Sequence, residues 1–552
     1  MHFDELLVTV GDFGPYQRRL YFLLSLPSVQ NAVVGMLLVV FLFDVPQHRC
    51  SIPGLRNDSY AVQDAAHADL INRTIPHGHG DLKYSSCDVF SSSNWTDDGS
   101  GNHKNITKTC HEWVYDRTVY DSTVVQAMDL VCDRKRYVTH AKMMGMLGQL
   151  VAVFISGPLS DMFGRRTMML VAMFSAVSFS ICLIWVTNFY LLLASVFLVI
   201  GTLSAQFLSC FIYSMEIVGP SKRMITGVAM NLFWSAGNMI LALVAFLVRD
   251  WKTRQLAISI PGIIFVYLYF LPESPRWQIT KCRNKAAKTT MLKIAKCNKV
   301  EIPDATLDNV ICNDKQSERF WELFRSPIML KRMVVICCNW LAIGMGFFGL
   351  RMNVTNLSGN VYLNYFLFSV VEACSYALCM LFISRIGRRK LLSATMLMAG
   401  AACFSTFIPF FVTKTPNTWI ITVLACLGNS SVSAAFATVY VFTAELLPTT
   451  TRNFGTGLCS VFCRVGSISS PYINDLTMHI SGRYSQILPM LIFGSMITLA
   501  GLLCLLLPET FNKRLPETIR EAEKLGTMAY GEANTDPDIT LLAEKENHDT
   551  CL

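Results

Sequence analysis

Long apolar runs separated by short polar segments make up most of this chain. Each run is about 20 residues long, which is enough for a helix to cross the hydrocarbon core of a bilayer. We predict twelve such spans, at residues 20–43, 139–160, 168–187, 190–212, 226–247, 254–271, 333–351, 360–384, 391–412, 418–440, 454–476 and 486–507. The hydrophobic pattern therefore predicts an all-α membrane protein with twelve transmembrane helices.

Two polar stretches at matching places indicate that the chain is duplicated. Gly157–Arg166 (GPLSDMFGRR) lies at the end of the second span, and Ser384–Lys390 (SRIGRRK) lies at the end of the eighth. We assign Arg385 to the position where an Asp would complete the second copy of the motif. A Glu and an Arg seven residues apart recur after the fourth and tenth spans, and LPES and LPET follow the sixth and twelfth. We expect two six-helix halves, 20–271 and 333–507, with a substrate site between them near the membrane midplane.

The charge of the polar segments outside the spans predicts the side of the membrane on which each one lies. The lysine-rich linker 272–332 and the terminal segments 1–19 and 508–552 are expected in the cytoplasm, because basic residues stay on the inner side of a membrane. The segment 44–138 then lies outside as one long loop, and the plasma membrane is the expected location. The first 19 residues are amphipathic and carry acidic groups, so no cleavable leader is expected.

The long loop carries signs of an oxidising compartment. Four N-x-S/T acceptor sequences within it predict glycosylation, at Asn57, Asn72, Asn94 and Asn105. Four cysteines in the same loop predict two disulfides, from Cys50, Cys87, Cys110 and Cys132. Three pairings of these four cysteines are open, and free thiols are the alternative.

Composition narrows the class of protein further. Only 16% of the residues are charged, against roughly a quarter in soluble proteins, and 52% are hydrophobic. The net charge of +8 comes from short basic clusters between spans, so we expect a lipid bilayer as partner and no nucleic acid. No P-loop, dinucleotide fingerprint or zinc-ligand spacing is found, so we expect neither an enzyme nor a cofactor. A homo-oligomer stays open.

Several motifs resemble those of known transporters. GPLSDMFGRR at a short loop between spans resembles the signature of the major facilitator superfamily. MEIVGPSKR, LPESPRW and TAELLPTTTRN resemble the organic ion transporters of solute carrier family 22, over essentially the whole chain. MNVTNLSGNVYLNYFLFSVVE and LPETFNKRLPETI resemble its organic cation and carnitine branch. The resemblance implies a carrier of small organic cations and zwitterions that works by alternating access, with an organic anion exchanger as the alternative.

Glu372 lies in the middle of the eighth predicted span. An ionised side chain there costs about 2.5–3.5 kcal/mol even on lenient insertion scales, so it is expected to face a cavity or a partner. Helical spacing puts Tyr365, Ser369 and Tyr376 on the same face. A carboxylate among tyrosines predicts a site for an organic cation, and a structural pair with a neighbouring helix is the alternative.

Arg464 is the second charge within a predicted span. The resemblance implies that this position selects substrate charge, and that an Arg fits carnitine-type and anion carriers. In a bound zwitterion, the carboxylate would pair with Arg464 and the ammonium group would pair with Glu372. The alternative is that Arg464 pairs with Glu372 and holds the two halves together.

Other residues complete the expected transport machinery. Amide and aromatic side chains predicted to line the cavity are Asn31, Gln206, Trp234, Phe347, Phe348 and Tyr440. Charged residues at the inner ends of spans are expected to form ion pairs that break as the inside opens: Asp161, Arg165, Arg166, Glu216, Arg223, Glu273, Arg276, Glu445, Arg452 and Glu509. The alternative for these residues is that they form ion pairs without a role in gating. The alternative for the whole protein is a receptor that binds a partner through its outer loop and transports nothing.

Overall fold

The computed structural model describes most of the chain. The described residues are 3–78, 84–91, 107–300, 322–357, 359–409, 418–448, 451–479, 487–513, 515–516 and 518–525. They form a bundle of long helices with two small β-ladders in the loop that follows the first span.

Within the described residues, the N-terminal segment, the N-terminal half and the first part of the linker together contain twelve α-helices and four strands. The helices are α1 (Phe3–Gly11), α2 (Pro15–Ser25), α3 (Pro27–Met36), α4 (Ala65–Thr74), α5 (Val124–Ala127), α6 (Arg136–Phe163), α7 (Arg165–Cys182), α8 (Phe189–Ile217), α9 (Arg223–Leu247), α10 (Trp251–Ser259), α11 (Pro275–Thr280) and α12 (Asn284–Asn298). A π-helical turn (Leu37–Phe41) extends α3, and a 3₁₀ stretch (Ile260–Phe270) extends α10. The strands are β1 (His48–Cys50), β2 (Asp88–Phe90), β3 (Thr107–Thr109) and β4 (Trp113–Tyr115).

From residue 322 onward, the end of the linker, the C-terminal half and the tail contain helices and no strand in their described part. The helices are α13 (Glu322–Arg325), α14 (Pro327–Met352), α15 (Val361–Ile386), α16 (Arg388–Ser405), α17 (Thr418–Leu446), α18 (Arg452–His479), α19 (Leu488–Cys504) and α20 (Ile519–Lys524). Helix α14 packs on α18 within this half, and α9 packs on α15 between the halves.

The helices agree with the predicted spans. Within the described ranges, nine helices are long and apolar enough to cross a membrane. Helices α16, α18 and α19 occupy the other three predicted positions; α16 opens with three basic residues, α18 is rich in polar residues, and α19 has 17 residues. The predicted all-α, multi-pass membrane fold is confirmed.

Local capping decides where several spans begin. Helix α14 starts at Pro327 because Ser326 Oγ accepts a hydrogen bond from the Met329 N–H, at 3.3 Å, and proline suits the first turn. Asn360 caps α15 in the same way through the Tyr362 N–H, at 3.0 Å. Helix α14 therefore begins six residues before the predicted span, outside its most apolar part.

The loop after the first span is held by two disulfides. Cys50 bonds to Cys110 and Cys87 to Cys132, which selects one of the three pairings left open. Strand β1 pairs antiparallel with β4, and β2 with β3, so each disulfide lies beside a ladder. Among the expected glycosylation sites, Asn57 and Asn72 are exposed, whereas Asn94 and Asn105 lie outside the described residues. Glycosylation stays a prediction.

A buried ionic network fixes the same loop from within. Asp58 accepts hydrogen bonds from Arg49 Nη1 at 3.0 Å and from the Ile52 N–H at 2.9 Å, and its Oδ1 lies 3.0 Å from His67 Nε2. The side chains of Arg49 and Asp58 are only 2% and 4% exposed. Burial alone would raise the pKa of Asp58, but these hydrogen bonds outweigh it and hold the pKa below its usual value.

We expect Asp58→Asn to open the loop. Because the carboxylate carries the network, its loss should weaken the loop by about 1–3 kcal/mol. The readout is the rate at which the phosphine TCEP reduces the two disulfides at neutral pH, which should rise about tenfold if reduction needs local opening. Asp69→Asn is the matched control, since Asp69 forms an exposed pair with Arg73 and should change little.

The same network predicts a pH dependence. The folded pKa of Asp58 is lowered, so its contribution is fully present above the unfolded pKa of about 3.9 and is lost as the pH falls through the folded pKa. Reduction of the natural protein should therefore accelerate below about pH 4, whereas the Asp58→Asn variant should lack this step. Identical pH profiles would contradict the role assigned to Asp58.

Candidate functional site

A cluster of charges lies at the end of the bundle opposite the disulfide loop, here called the motif end. Glu273 accepts hydrogen bonds from the N–H groups of Arg165 (2.9 Å) and Arg166 (3.1 Å), the first residues of α7. Gly164 has φ of +105°, and a Cβ on it would overlap the Glu273 carboxylate. Arg165 Nη2 also pairs with Glu216 Oε1 at 3.0 Å. A carboxylate thus caps a helix N-terminus, although burial raises the pKa of Glu273.

The C-terminal half repeats the main contacts of this arrangement with equivalent residues. Gly387 has φ of +96°, and Glu509 accepts hydrogen bonds from the N–H groups of Arg388 (2.9 Å) and Arg389 (3.3 Å) at the start of α16. Arg388 Nε pairs with Glu445 at 3.0 Å, as Arg165 does with Glu216. We call the two clusters the N-cradle and the C-cradle. Each joins three segments of its own half.

The cradles correct one interpretation of the sequence. Because Gly164 and Gly387 are equivalent, the position of Asp161 corresponds to Ser384, and reading Arg385 there was wrong by one residue. Asp161 pairs with Arg165 Nη1 at 2.5 Å, but its side chain is 69% exposed. An exposed pair of this kind contributes at most about 1 kcal/mol, so the C-cradle loses little without it.

The remaining predicted gating residues also lie at the motif end. Arg223 Nε donates to the carbonyl oxygens of Met215 and Val218, and the guanidinium of Arg276 lies 5.9 Å from the Phe3 ring centroid. On α18, the Nε and Nη2 atoms of Arg452 are buried with no hydrogen-bond partner in the described part of the chain. A gating role for these residues stays a prediction.

A second charged cluster lies deep in the bundle. Arg351 on α14 pairs with Glu372 on α15, with Nη2 and Oε2 2.7 Å apart, and the two side chains are 1% and 0% exposed. The Tyr376 hydroxyl donates to Glu372 Oε1 at 3.2 Å. The guanidinium of Arg351 lies 4.8 Å from the Phe347 ring centroid. Both charges are therefore neutralised by each other and shielded by aromatic rings.

This cluster reaches across to the N-terminal half through α9. With its amide oxygen facing Arg351, Asn238 accepts hydrogen bonds from Arg351 Nη1 (2.7 Å) and Trp234 Nε1 (3.1 Å). The Asn238 nitrogen then donates to the Tyr365 hydroxyl at 2.9 Å. We call Arg351, Glu372, Asn238, Tyr365 and Tyr376 the central cluster. It is the polar joint between the two halves.

Arg351 is the functional residue that sequence reasoning missed. It ends the seventh predicted span, where a charge is ordinarily solvated, so it received no role. A buried Glu372 needs a partner of opposite charge, and this requirement is the signal in the sequence that points to Arg351. The idea that Arg464 pairs with Glu372 is wrong, because Arg351 occupies that carboxylate. The structural pair with a neighbouring helix, kept open for Glu372, is the arrangement found.

Beside the cluster, half-buried side chains face each other from the two halves. Phe211 and Trp234 come from the N-terminal half, and Phe436, Tyr440 and Arg464 from the C-terminal half. The ring centroids of Phe211 and Tyr440 are 6.4 Å apart, and those of Phe436 and Tyr440 are 5.5 Å apart. Partial exposure this deep in the bundle indicates a cleft between the halves, and we call these five residues the vestibule wall.

Among the described residues, Arg464 differs from Arg351 in having no ion-pair partner. Its charge acts on Tyr440 of the same wall, and its buried Nε makes no hydrogen bond within the described residues. No ion pair to Arg464 is formed in that part of the chain either. A half-buried guanidinium without a carboxylate is suited to an incoming anionic group.

The other predicted lining residues divide into two groups. Phe347 and Phe348 stack edge to face at 5.2 Å, next to the central cluster. Asn31 instead donates to the Leu203 carbonyl at 2.5 Å and holds α3 against α8. Gln206 is buried on α8, one turn from that contact. These two amides therefore lie apart from the central cluster.

The two halves also meet at the end that carries the disulfides, here called the loop end. Thr139 Oγ1 donates to Asp475 Oδ2 at 3.0 Å, and the Tyr362 hydroxyl donates to the Val119 carbonyl at 2.7 Å. These bonds join α6 to α18 and the loop to α15. The loop end is thus closed over the vestibule wall in this conformation.

Two helical halves with repeated cradles and a polar joint between them define a secondary transporter of the major facilitator type. Residues 108–521 match the sequence model of the sugar (and other) transporter family. The solved proton:xylose symporter XylE has a similar fold, with a TM-score of 0.55, 17% identity and coverage of 74% of this chain and 92% of that one.

Curated relatives identify the branch. The organic cation transporter protein of Drosophila melanogaster is 34% identical over 95% of both chains. Organic cation/carnitine transporter 2 of Homo sapiens is 32% identical, over 96% of this chain and 95% of the relative. Solute carrier family 22 member 4 of Mus musculus is 31% identical over 97% of both. The chain belongs to the organic cation/carnitine branch of solute carrier family 22, and it is a transporter rather than an enzyme.

We predict that Glu372 and Arg351 depend on each other for stability. Glu372→Leu alone should leave a buried, uncompensated guanidinium and cost about 3–5 kcal/mol, whereas the double variant Arg351→Met/Glu372→Leu should recover most of that loss. Thermal unfolding of the purified proteins in lipid nanodiscs measures both effects. Arg385→Gln, an exposed change on the same helix α15, is the control. Additive losses in the double variant would contradict the coupling.

Proposed function

We propose that this protein carries small organic cations and zwitterions of the carnitine type across the plasma membrane by alternating access. One observation carries the proposal: the charges of Arg351 and Glu372 cancel, while Arg464 has no carboxylate partner in the described part of the chain and lies beside Tyr440. The names of the relatives, organic cation and organic cation/carnitine transporters, support the same substrate class.

The vestibule wall offers complementary groups for both ends of a zwitterion. The faces of Trp234, Phe436 and Tyr440 attract a quaternary ammonium group, with about 0.5–2 kcal/mol per ring contact. Arg464 attracts the carboxylate through charge-assisted hydrogen bonds. Because Glu372 is already neutralised, we assign the recognition of the ammonium group to the rings rather than to that carboxylate. Few fixed polar groups on an apolar wall favour a broad choice of substrates.

Alternating access follows from how the halves are joined. The central cluster, the loop-end hydrogen bonds and an apolar cluster around Val228 and Ile383 hold the halves together, while the ion pairs of each cradle tie helices within one half. Each half can then move as a rigid body about the central cluster. The basic linker and the disulfide-bonded loop support cytoplasmic termini and an outward-facing loop.

A specific observation also favours the second candidate, an organic anion exchanger. Arg464 is a net positive charge on the vestibule wall, and no described carboxylate pairs with it. An anion would gain from Arg464 without needing the ammonium contacts. The two candidates differ in whether a positive group on the substrate improves uptake.

Uptake of three labelled compounds separates these candidates. In oocytes that express the protein, we expect carnitine and tetraethylammonium to enter above background and para-aminohippurate to remain near it. The panel is run with and without sodium to establish coupling. Uptake of the anion alone would overturn the proposal in favour of the exchanger. Background uptake of every compound, with the protein at the cell surface, would favour a receptor.

Reversing the charge at Arg464 should reverse the preference. Arg464→Asp removes the carboxylate partner, so carnitine uptake should fall about tenfold or more while tetraethylammonium uptake is kept or raised. Arg464→Lys keeps the charge and serves as the matched control, with a smaller loss. Selectivity that does not change between the two variants would remove Arg464 from the substrate site.

A further inference from the structure

Two free cysteines form a close pair between α14 and α18. The Sγ atoms of Cys337 and Cys459 are 3.7 Å apart, and the residues are 5% and 0% exposed. They lie in the part of each helix nearer the motif end. Nothing in the transport mechanism above uses them.

The two helices touch through their backbones one to two turns from this pair, on the side toward the loop end. A Cβ on Gly344 would overlap the carbonyl oxygen of Cys463, and a Cβ on Gly466 would overlap that of Leu341. The helices therefore cannot move closer there, and the two sulfurs could meet only by rotation of their own side chains. A disulfide needs its sulfurs at about 2.05 Å, which is about 1.7 Å closer than they are. A bridging ion does not need this approach.

The observed separation suits a bridging atom instead. Two thiolates on one central atom with bonds of about 2.3 Å have their sulfurs about 3.8 Å apart at a tetrahedral angle and about 3.4 Å apart at the narrower angle of pyramidal trivalent arsenic, so the two sulfurs need to approach by only a few tenths of an ångström. Soft thiolate ligands select soft, thiophilic centres. We propose that Cys337 and Cys459 form a dithiol site that captures thiophilic electrophiles, with trivalent arsenicals as the best-matched class because they take two thiols.

The reaction of the two thiols with the arsenical needs no oxidant or reductant. Phenylarsine oxide reacts with the two thiols so that two As–S bonds form, two S–H bonds and the arsenic–oxygen bond break, and the oxygen leaves as water. The arsenic stays trivalent. Both protons are accounted for in the released water.

The position of the pair connects capture to transport. Both helices belong to the C-terminal half, so the bridge itself leaves the rocking of the halves free. The bound phenylarsenic group instead enters the packed interface five residues from Arg464 and one turn from Trp340, whose ring lies 4.4 Å from Tyr440 of the vestibule wall, and displaces that wall. We expect a bridged protein to lose uptake. This consequence depends on the proposed function, whereas capture itself does not.

The test uses the full-length protein in membranes. Membranes are treated with phenylarsine oxide, the protein is unfolded in detergent, and free thiols are alkylated with N-ethylmaleimide and located by mass spectrometry. Cys337 and Cys459 should resist alkylation, and 2,3-dimercaptopropanol, a dithiol, should restore it while 2-mercaptoethanol does not. Full alkylation of both cysteines after treatment would overturn the proposal.

Single substitutions separate the pair from its neighbours. In Cys337→Ser, Cys459 should be alkylated fully despite the arsenical, whereas Cys338→Ser, at the exposed neighbouring position, should behave like the natural protein. Protection of Cys459 in Cys337→Ser would contradict a two-thiol site. Carnitine uptake is measured in parallel: it should be lost on treatment of the natural protein and kept in Cys337→Ser. Capture without loss of uptake would overturn the link to transport.

Discussion

A charge inside a bilayer must be neutralised, and this constraint shapes the centre of the molecule. Arg351 and Glu372 meet it by pairing with each other within a shell of tyrosines, a phenylalanine and an asparagine. Because Asn238 belongs to the other half, the same bonds that neutralise the pair also join the halves. Arg464 then stands out as the charge left for a substrate. The chemistry of the transport site therefore depends on which charged side chains are already paired within the protein and which one is left to bind a substrate.

The duplication gives each half its rigidity at the motif end. In both cradles a positive-φ glycine lets a glutamate approach the first N–H groups of a helix, and an arginine pairs with a second glutamate. These bonds stay within a half and can travel with it. Contacts between the halves involve the central cluster, the closed loop end and, at the motif end, an apolar cluster that contains Val228 and Ile383. Movement of two rigid halves about a polar joint is the consequence.

Hydrophobic patterning predicted the twelve helices, repeated polar motifs predicted the duplication, and the cysteines of the long loop predicted its disulfides, because these depend on local composition and spacing. Which charged residues pair with each other was not predictable in this way. Arg351 and Glu372 are 21 residues apart on different helices, and only packing brings them together. The equivalence of Ser384 and Asp161 lies in the sequence itself, three residues before the glycine of each Gly-Arg-Arg, and the positive φ of both glycines agrees with it. The thiol pair of Cys337 and Cys459 also depends on helix packing, which no sequence pattern encodes.

The central claim is that the two halves rock about the central cluster, and a pair of distances tests it most directly. Spin labels at Arg136 and Leu363 report on the loop end, and labels at Met162 and Arg385 report on the motif end; all four positions are exposed. Adding carnitine to the protein in nanodiscs should lengthen one distance and shorten the other. Two distances that stay fixed, or that change in the same direction, would contradict the account.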